Sequence, residues 1–274
     1  MDGRIRIFIL GLGLLAAATS TGTAVEPKRQ GNSQPQSQSL PPVPVRVASL
    51  AFIEPDGSRT PVVDIWSNGQ VQAVEISGTR QKPVKASRTD RLSEGEMREL
   101  FQLLTQQCQM ASLTTDSVNQ SVQAASEQEQ LIAEIEGAAQ TEIGLLVGQR
   151  WHAVACPAVS VLTTRFPDVA EVQNVATAQD RLQNIAAVAL LGGGAAADLQ
   201  AEAATHKLRE LHPEAGEITR RDLKMVRQLA NGNRFVQFHY AGSPGQSEAC
   251  LVSLTQSPRG PTRVSVLDSP SVVR

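Results

Sequence analysis

Alternating apolar and polar positions mark the beginning of the fold. Residues 45–77 contain the runs VRVASLAFI, PVVDIWS and QVQAVEIS, separated by turn-forming residues. Alternation with a period of two is typical of strands with one buried face. Asn68 and Gly69 separate the second run from the third, and both residues tolerate the positive φ that a tight hairpin requires. The pattern therefore predicts strands joined by a hairpin from about residue 45 onward.

A helical period replaces the alternation after residue 92. Ser93 and Glu96 have the spacing of a capping box, in which the hydroxyl accepts the N3 amide and the carboxylate accepts the N-cap amide. Behind them, four apolar residues share one helical face: Met97, Leu100, Leu103 and Leu104. The pattern predicts a helix that begins at Ser93.

The rest of the first half mixes both periods. Residues 114–140 are rich in Gln, Ser, Ala and Glu. So long a loop is unusual in a compact domain, so either a helix forms, for example over 126–136, or the segment is an exposed insertion. TEIGLLV, GQ and RWHAVAC then predict a second hairpin, and the apolar spacing over 169–190 predicts a helix. We expect an N-terminal α+β domain over residues 45–191.

Three glycines at 192–194 interrupt the pattern and predict a hinge between two domains. The alanine-rich run AAADLQAEAATHKLREL then predicts a helix. NRFVQFHY, EACLVSLTQ and TRVSVLDS, with a turn at SPRGP, predict a three-stranded antiparallel meander. The expected fold class is α+β, with two small domains that each pack an antiparallel sheet with one or two helices. The second domain, over residues 192–270, is expected to be a helix plus a meander.

The segment over residues 219–232 has two interpretations. Thr219 could cap a helix that contains Leu223 and Val226 on one side and ends at Asn231–Gly232, with capping signals at both ends. Alternatively, DLKMVRQ is a strand, and QLANG is the tip of a hairpin that leads into NRFVQFHYAG. The agreement of the two caps favours the helix, and the hairpin remains the alternative.

The first 24 residues have the pattern of a Sec-type signal peptide. Arg4 and Arg6 form a basic start, residues 7–18 form a short apolar run, and Gly22 and Ala24 provide small residues at a cleavage site. We expect the protein to be exported, to be secreted or periplasmic, and not to span a membrane after cleavage. Residues 25–44 are dominated by Gln, Ser and Pro, which predicts a disordered linker.

Composition argues against nucleic acid as a partner. The formal net charge is −2, and only 3% of the residues are aromatic. Binding to a phosphate backbone requires clustered Lys and Arg, and single-stranded nucleic acid also requires stacking platforms. We therefore expect a protein partner, and the sequence leaves the oligomeric state open.

Cysteine usage and motif content predict no catalytic, metal or cofactor site. The chain has three cysteines without zinc-ligand spacing. Because export permits disulfides, we expect Cys108 to pair with Cys156 and Cys250 to be buried and free. Residues 192–197 fit the formal dinucleotide fingerprint G-x-G-x-x-A. The apolar run before them continues a helical pattern instead of a strand, so an interdomain hinge is the better interpretation.

The C-terminal quarter of the chain resembles the cystatins, which inhibit papain-like cysteine proteases. Gly192–Gly193 precedes the predicted helix, and Gln228, Ala230 and Gly232 fall on the first-loop motif Gln-x-Val-x-Gly. The run NRFVQFHY resembles the strand that follows that loop, and SPRGP falls where the second loop belongs. Ala230 replaces the usual Val, and the second loop lacks the usual Trp.

The resemblance implies a wedge of two hairpin loops and a glycine-containing segment that blocks a protease cleft without reacting. The residues that it implies for partner contact are Gly192, Gly193, Gln228, Leu229, Ala230, Asn231, Gly232, Pro258 and Arg259. We therefore expect an exported, non-catalytic binding protein, either a subunit of an envelope assembly or an inhibitor of a papain-like cysteine protease through its C-terminal domain. The alternatives are an exported hydrolase whose site forms only in three dimensions, for example from Cys250 and His239, and a purely structural envelope protein.

Overall fold

The structure is a computed structural model that describes residues 43–79, 82–229, 231–242, 250–257 and 262–268. The predicted signal peptide and nearly all of the predicted linker lie outside these residues. The described residues belong to one compact unit that contains two antiparallel sheets and several helices. The predicted α+β class with two small sheets is confirmed. The domain boundary at residue 192 stays a prediction.

The first sheet has six strands and is antiparallel throughout, in the order β4-β3-β2-β1-β5-β6. Its strands are β1 (Arg46–Ile53), β2 (Arg59–Trp66), β3 (Gln70–Thr79), β4 (Lys82–Arg91), β5 (Gln140–Val147) and β6 (Arg150–Pro157). Both predicted hairpins are present. The first turn has three residues, Ser67–Gly69, and Gly69 takes a φ of +82°. Gly148 and Gln149 form the two-residue turn between β5 and β6.

Helices cover one face of this sheet. They are α1 (Glu94–Gln102), α2 (Thr115–Glu129), α3 (Val159–Arg165) and α4 (Ala170–Leu191), and a π-helical turn (Leu103–Gln107) extends α1. A further helix, α5 (Gly194–Leu211), packs on the second sheet. The predicted capping box at Ser93 is confirmed, with Glu96 as its partner. The helix expected near 126–136 lies earlier, because Thr114 and Ser117 form a second capping box that starts α2.

The expected disulfide between Cys108 and Cys156 is wrong. Both cysteines are free thiols buried in the core between the first sheet and its helices. Cys108 follows the π-helical turn, and its backbone N–H donates to Leu103 O at 2.8 Å. Each sulfur therefore packs as a small apolar group and not as half of a bridge. Cys250 is buried in the second core, as expected.

We expect the native thiols to resist modification by Ellman's reagent at pH 8. Burial raises the pKa of Cys108 and of Cys156 to about 11, and the thiolate is the reactive form. Burial favours the neutral thiols in the folded state. Their contribution to the free energy of unfolding is complete below the unfolded pKa and is lost between about pH 9 and pH 11, where the unfolded thiols ionise first. Labelling should become fast only in denaturant. Rapid labelling of either thiol in the native protein would contradict the burial.

The second sheet has four strands in the order β10-β9-β8-β7. They are β7 (Leu223–Gln228), β8 (Arg234–Tyr240), β9 (Cys250–Gln256) and β10 (Arg263–Asp268). The inner face packs on α5, whose alanines permit close approach to the sheet. The residues buried there include Ala197, Ala201, Ala204, Leu208, Val236, Phe238, Val252 and Leu254.

The favoured helix over 219–232 is wrong, and the alternative hairpin is confirmed. Thr219 caps only a three-residue 3-10 turn (Arg220–Asp222), after which the chain enters β7. A register shift between Leu223 and Met225 interrupts the alternation of β7. Leu223 and Val226 are therefore both buried although they are three residues apart. A β-bulge thus reproduced the spacing of a helical face.

Helix α4 belongs to both cores. Its earlier turns, from Val172 to Ala186, pack mainly on the first sheet, whereas Ala187 and Leu191 pack in the core of the second sheet. No single helix in the described part of the chain is long and apolar enough to cross a membrane. Only α4 and α5 taken together meet that criterion, and they are bent by 97° at their junction.

Candidate functional site

Two connections of the second sheet lie at the same end of its strands. β7 ends at Gln228 opposite Arg234, and Arg234 in turn pairs with Gln256 at the end of β9. The connection over 229–233 and the connection over 257–262 therefore leave the sheet on the same side. We call this side of the sheet the loop edge.

The connection over 229–233 is a tight, hydrogen-bonded turn. Leu229 N donates to Asn233 O at 2.7 Å, and Gly232 N donates to Leu229 O at 2.9 Å. The Gln228 side-chain amide donates to Gly232 O at 2.6 Å, and Asn231 Oδ1 accepts from Asn233 N at 3.0 Å. Gln228, Asn231 and Gly232 are exposed. The turn is therefore both accessible and held in shape by its own polar groups.

Gly232 has a backbone conformation that favours glycine, and the space around it is open. Its φ is +81°, a conformation that favours glycine, and a Cβ at this position would meet no atom within 4 Å. Any side chain placed there would project into solvent at the tip of the turn. The position is therefore suited to a test of whether the tip contacts a partner.

The other residues predicted for partner contact have different positions. Ala230, Pro258 and Arg259 lie outside the described residues. Gly192 and Gly193 form the sharp turn between α4 and α5, with φ values of +114° and +96°. The side chain of Arg234 donates to Leu191 O at 3.3 Å, so this interhelical turn is beside the loop edge. Helix α4 precedes this turn and helix α5 follows it directly, so it is not a free arm.

The first sheet supports the base of the hairpin. Strand β7 is an edge strand, so one row of its backbone groups has no neighbouring strand. Glu75 on β3 accepts a hydrogen bond from Gln228 N at 2.7 Å. This charge-assisted bond fixes the point where β7 enters the turn.

The structure separates Cys250 from His239. Cys250 pairs with Tyr240 across β8 and β9, and both side chains are buried toward α5. His239 precedes Tyr240 by one residue, so its side chain points to the opposite face of the sheet. These two residues cannot form a nucleophile–base pair. Among the described residues, no cluster of three or more His, Cys, Asp or Glu side chains could hold a metal ion.

A polar cavity of about 420 Å³ lies between α1, α4 and the start of β7. It is lined by Glu99, Gln102, Leu103, Gln107, Thr177, Asp180, Arg181, Asn184, Arg221 and Lys224. No local sequence pattern predicts this cavity, because its residues come from three distant segments. The local signal was the presence of Arg181 and Asn184, together with Gln183, immediately before the apolar end of α4.

Three comparisons with known proteins identify no relative of this chain. The chain matches no family model, and no curated protein or solved structure matches it significantly. The resemblance to cystatins therefore rests on the residues of the first-loop motif and on the order of the helix and strands. Its functional implications are proposals.

Proposed function

We propose that this protein is exported to a secreted or periplasmic location and binds another protein through its loop edge. The proposed partner is a papain-like cysteine protease. The observation that supports this is that the strand ends flanking residues 229–233 and 257–262 lie on one side of a helix-backed antiparallel sheet. A protease inhibitor of the cystatin type presents two adjacent hairpin loops in this arrangement.

Such inhibition requires shape and rigidity, and it requires no reactive group. The turn at 229–233 is ordered by hydrogen bonds among its own residues, and the Glu75 carboxylate holds its base. A turn that is already ordered loses little conformational entropy when it enters a cleft. The interhelical turn at Gly192–Gly193 is not a free arm, so the proposed wedge consists of the two loops.

The test is a titration of residues 25–274 into papain with a fluorogenic peptide substrate. We expect dose-dependent inhibition that raises the apparent KM and leaves kcat unchanged, because the loops would occupy the substrate cleft. Gly232→Trp should abolish inhibition, since a bulky side chain would project from the tip. Circular dichroism of this variant would show whether the fold is retained.

Gly148→Trp is the matched control. Gly148 also has a positive φ, +61°, and also lies at an open position in a hairpin turn, but that turn belongs to the first sheet. Backbone strain and added surface are therefore similar in the two variants, and we expect Gly148→Trp to inhibit like the parent protein. No inhibition at about 50 µM, equivalent to binding weaker than roughly −6 kcal/mol, would overturn the proposal. Equal inhibition by the parent and Gly232→Trp would exclude the tip as the contact.

A further inference from the structure

The cavity between α1, α4 and β7 has an excess of one positive charge. Its lining includes three cations, Arg181, Arg221 and Lys224, and two carboxylates, Glu99 and Asp180. Arg221 pairs with Glu99 at 2.6 Å, and Lys224 pairs with Asp180 at 2.8 Å. Each carboxylate is therefore engaged by a different cation. Arg181 is the cation that remains.

Arg181 has few partners for a half-buried guanidinium. Its Nη1 donates to Asn184 Oδ1 at 2.9 Å, and no other described residue accepts a hydrogen bond from it or forms an ion pair with it. A guanidinium carries five N–H donors. Burial lowers the pKa of Arg181, and the nearby Arg221 lowers it further, whereas Glu99 and Glu96 raise it. An anion in the cavity would offset the cost of this burial.

The guanidinium is held in a fixed position. Asn184 is 5% exposed, and its Nδ2 donates to the backbone oxygens of Arg220, Arg221 and Leu223 at 2.8, 3.2 and 2.9 Å. Those three bonds fix which way the amide points, so Oδ1 faces Arg181. A donor that is already oriented loses little entropy when it binds a ligand.

The opposite wall of the cavity is formed by the π-helical turn. Gln102, Leu103 and Gln107 line the cavity from this turn and its junction with α1. Single π-helical turns within helices are rare and are frequent at functional sites. The wall combines amide side chains with one apolar residue, and the volume of about 420 Å³ is within the range of small-molecule sites.

We propose that this cavity binds a small organic carboxylate, which the Arg181 guanidinium engages through paired hydrogen bonds. A planar carboxylate matches the fork of a guanidinium. The excess of one positive charge matches a monoanion, and the neighbouring Glu99 and Asp180 carboxylates repel a phosphate dianion. Amide groups and Leu103 would contact the remainder of the ligand. This site is independent of the loop edge and of the proposed inhibition.

The test is an NMR titration of protein labelled with ¹⁵N-arginine, with propionate as the probe at constant ionic strength and pH 8. We expect the Arg181 Nε–H signal to shift and to reach saturation. Inorganic phosphate, a dianion at this pH, should need an about tenfold higher concentration for the same shift. Arg181→Gln should lose the saturable shift of the surrounding signals, whereas Arg59→Gln should retain it. Arg59 is the matched control because it pairs with Glu142 on the first sheet.

Two further variants test propionate binding in the cavity if Arg181→Gln does not fold. Thr177→Trp leaves Arg181 in place and fills part of the cavity, so propionate should bind more weakly. Glu99→Gln removes a competing carboxylate, so propionate should bind about fivefold more tightly. Absence of a saturable Arg181 shift up to about 100 mM propionate, equivalent to binding weaker than about −1.4 kcal/mol, would overturn the proposal. Tighter binding of phosphate than of propionate would overturn it as well.

Discussion

Replacement of Asn184 with leucine is expected to lower the free energy of unfolding by about 3 kcal/mol. The asparagine amide joins α4 to the start of the second sheet through three backbone oxygens, and it also accepts from Arg181. Leucine has a similar volume and no polar group, so these oxygens and the guanidinium would lose a buried partner. An unsatisfied buried polar group costs about 1–3 kcal/mol.

Thermal unfolding followed by circular dichroism would measure this effect. For a domain of this size, we expect the midpoint to fall by roughly 6–12 °C. Gln183→Ala is the control on the same helix, because the Gln183 side chain makes no hydrogen bond to another described residue, and its change should stay within about 0.5 kcal/mol. A fall of less than about 1 kcal/mol for Asn184→Leu would show that water replaces the amide and that the two sheets are joined mainly by apolar contacts.

Gly144→Val is expected to destabilise the first sheet by about 2–3 kcal/mol. Gly144 lies in the middle of β5, under the indole ring of Trp151 on β6. A Cβ at residue 144 would overlap the Trp151 ring and lie 2.7 Å from Ser49 Oγ. The indole must therefore leave the sheet surface. Its stacking with the Arg46 guanidinium, now 4.4 Å from the ring centroid, would also be lost.

Tryptophan fluorescence reports this displacement directly. The chain has two tryptophans, so a Trp66→Phe background leaves Trp151 as the emitter. We expect Gly144→Val to shift its emission to longer wavelength, because the indole becomes more hydrated. Ala153→Val is the control, since Ala153 is exposed and lies directly opposite Gly144 on β6. If both variants kept the emission and stability of the parent protein, close packing of the indole on Gly144 would be disproved.

Local signals predicted much of the fold because the residues that carry them act over a few positions. The Ser93 capping box and the two hairpins of the first sheet lie where the sequence placed them. The helix predicted after Thr219 was wrong because the Thr219 cap is present but begins only a single 3-10 turn. Leu223 and Val226 have a helical spacing in the sequence, and the bulge in β7 allows both to be buried in a strand. Two correct local signals thus supported a wrong element.

The cavity could not be predicted in the same way. Glu99, Arg181 and Arg221 are about 40 to 120 residues apart in the chain, and no local pattern indicates that they meet. The loop edge was partly predictable, because the register of an antiparallel meander alone determines which connections share a side. The expected disulfide failed for a related reason. Sequence spacing carries no information on whether two buried sulfurs face each other.

The continuity of α4 has a consequence for recognition. One helix of 22 residues passes from the core of the first sheet to the core of the second, so the angle between the sheets is set by a stiff element and not by a linker. A partner that contacts the loop edge therefore meets a surface already aligned with the first sheet. Association would not need to immobilise two independently moving halves, and the entropy of that step is absent from the binding free energy.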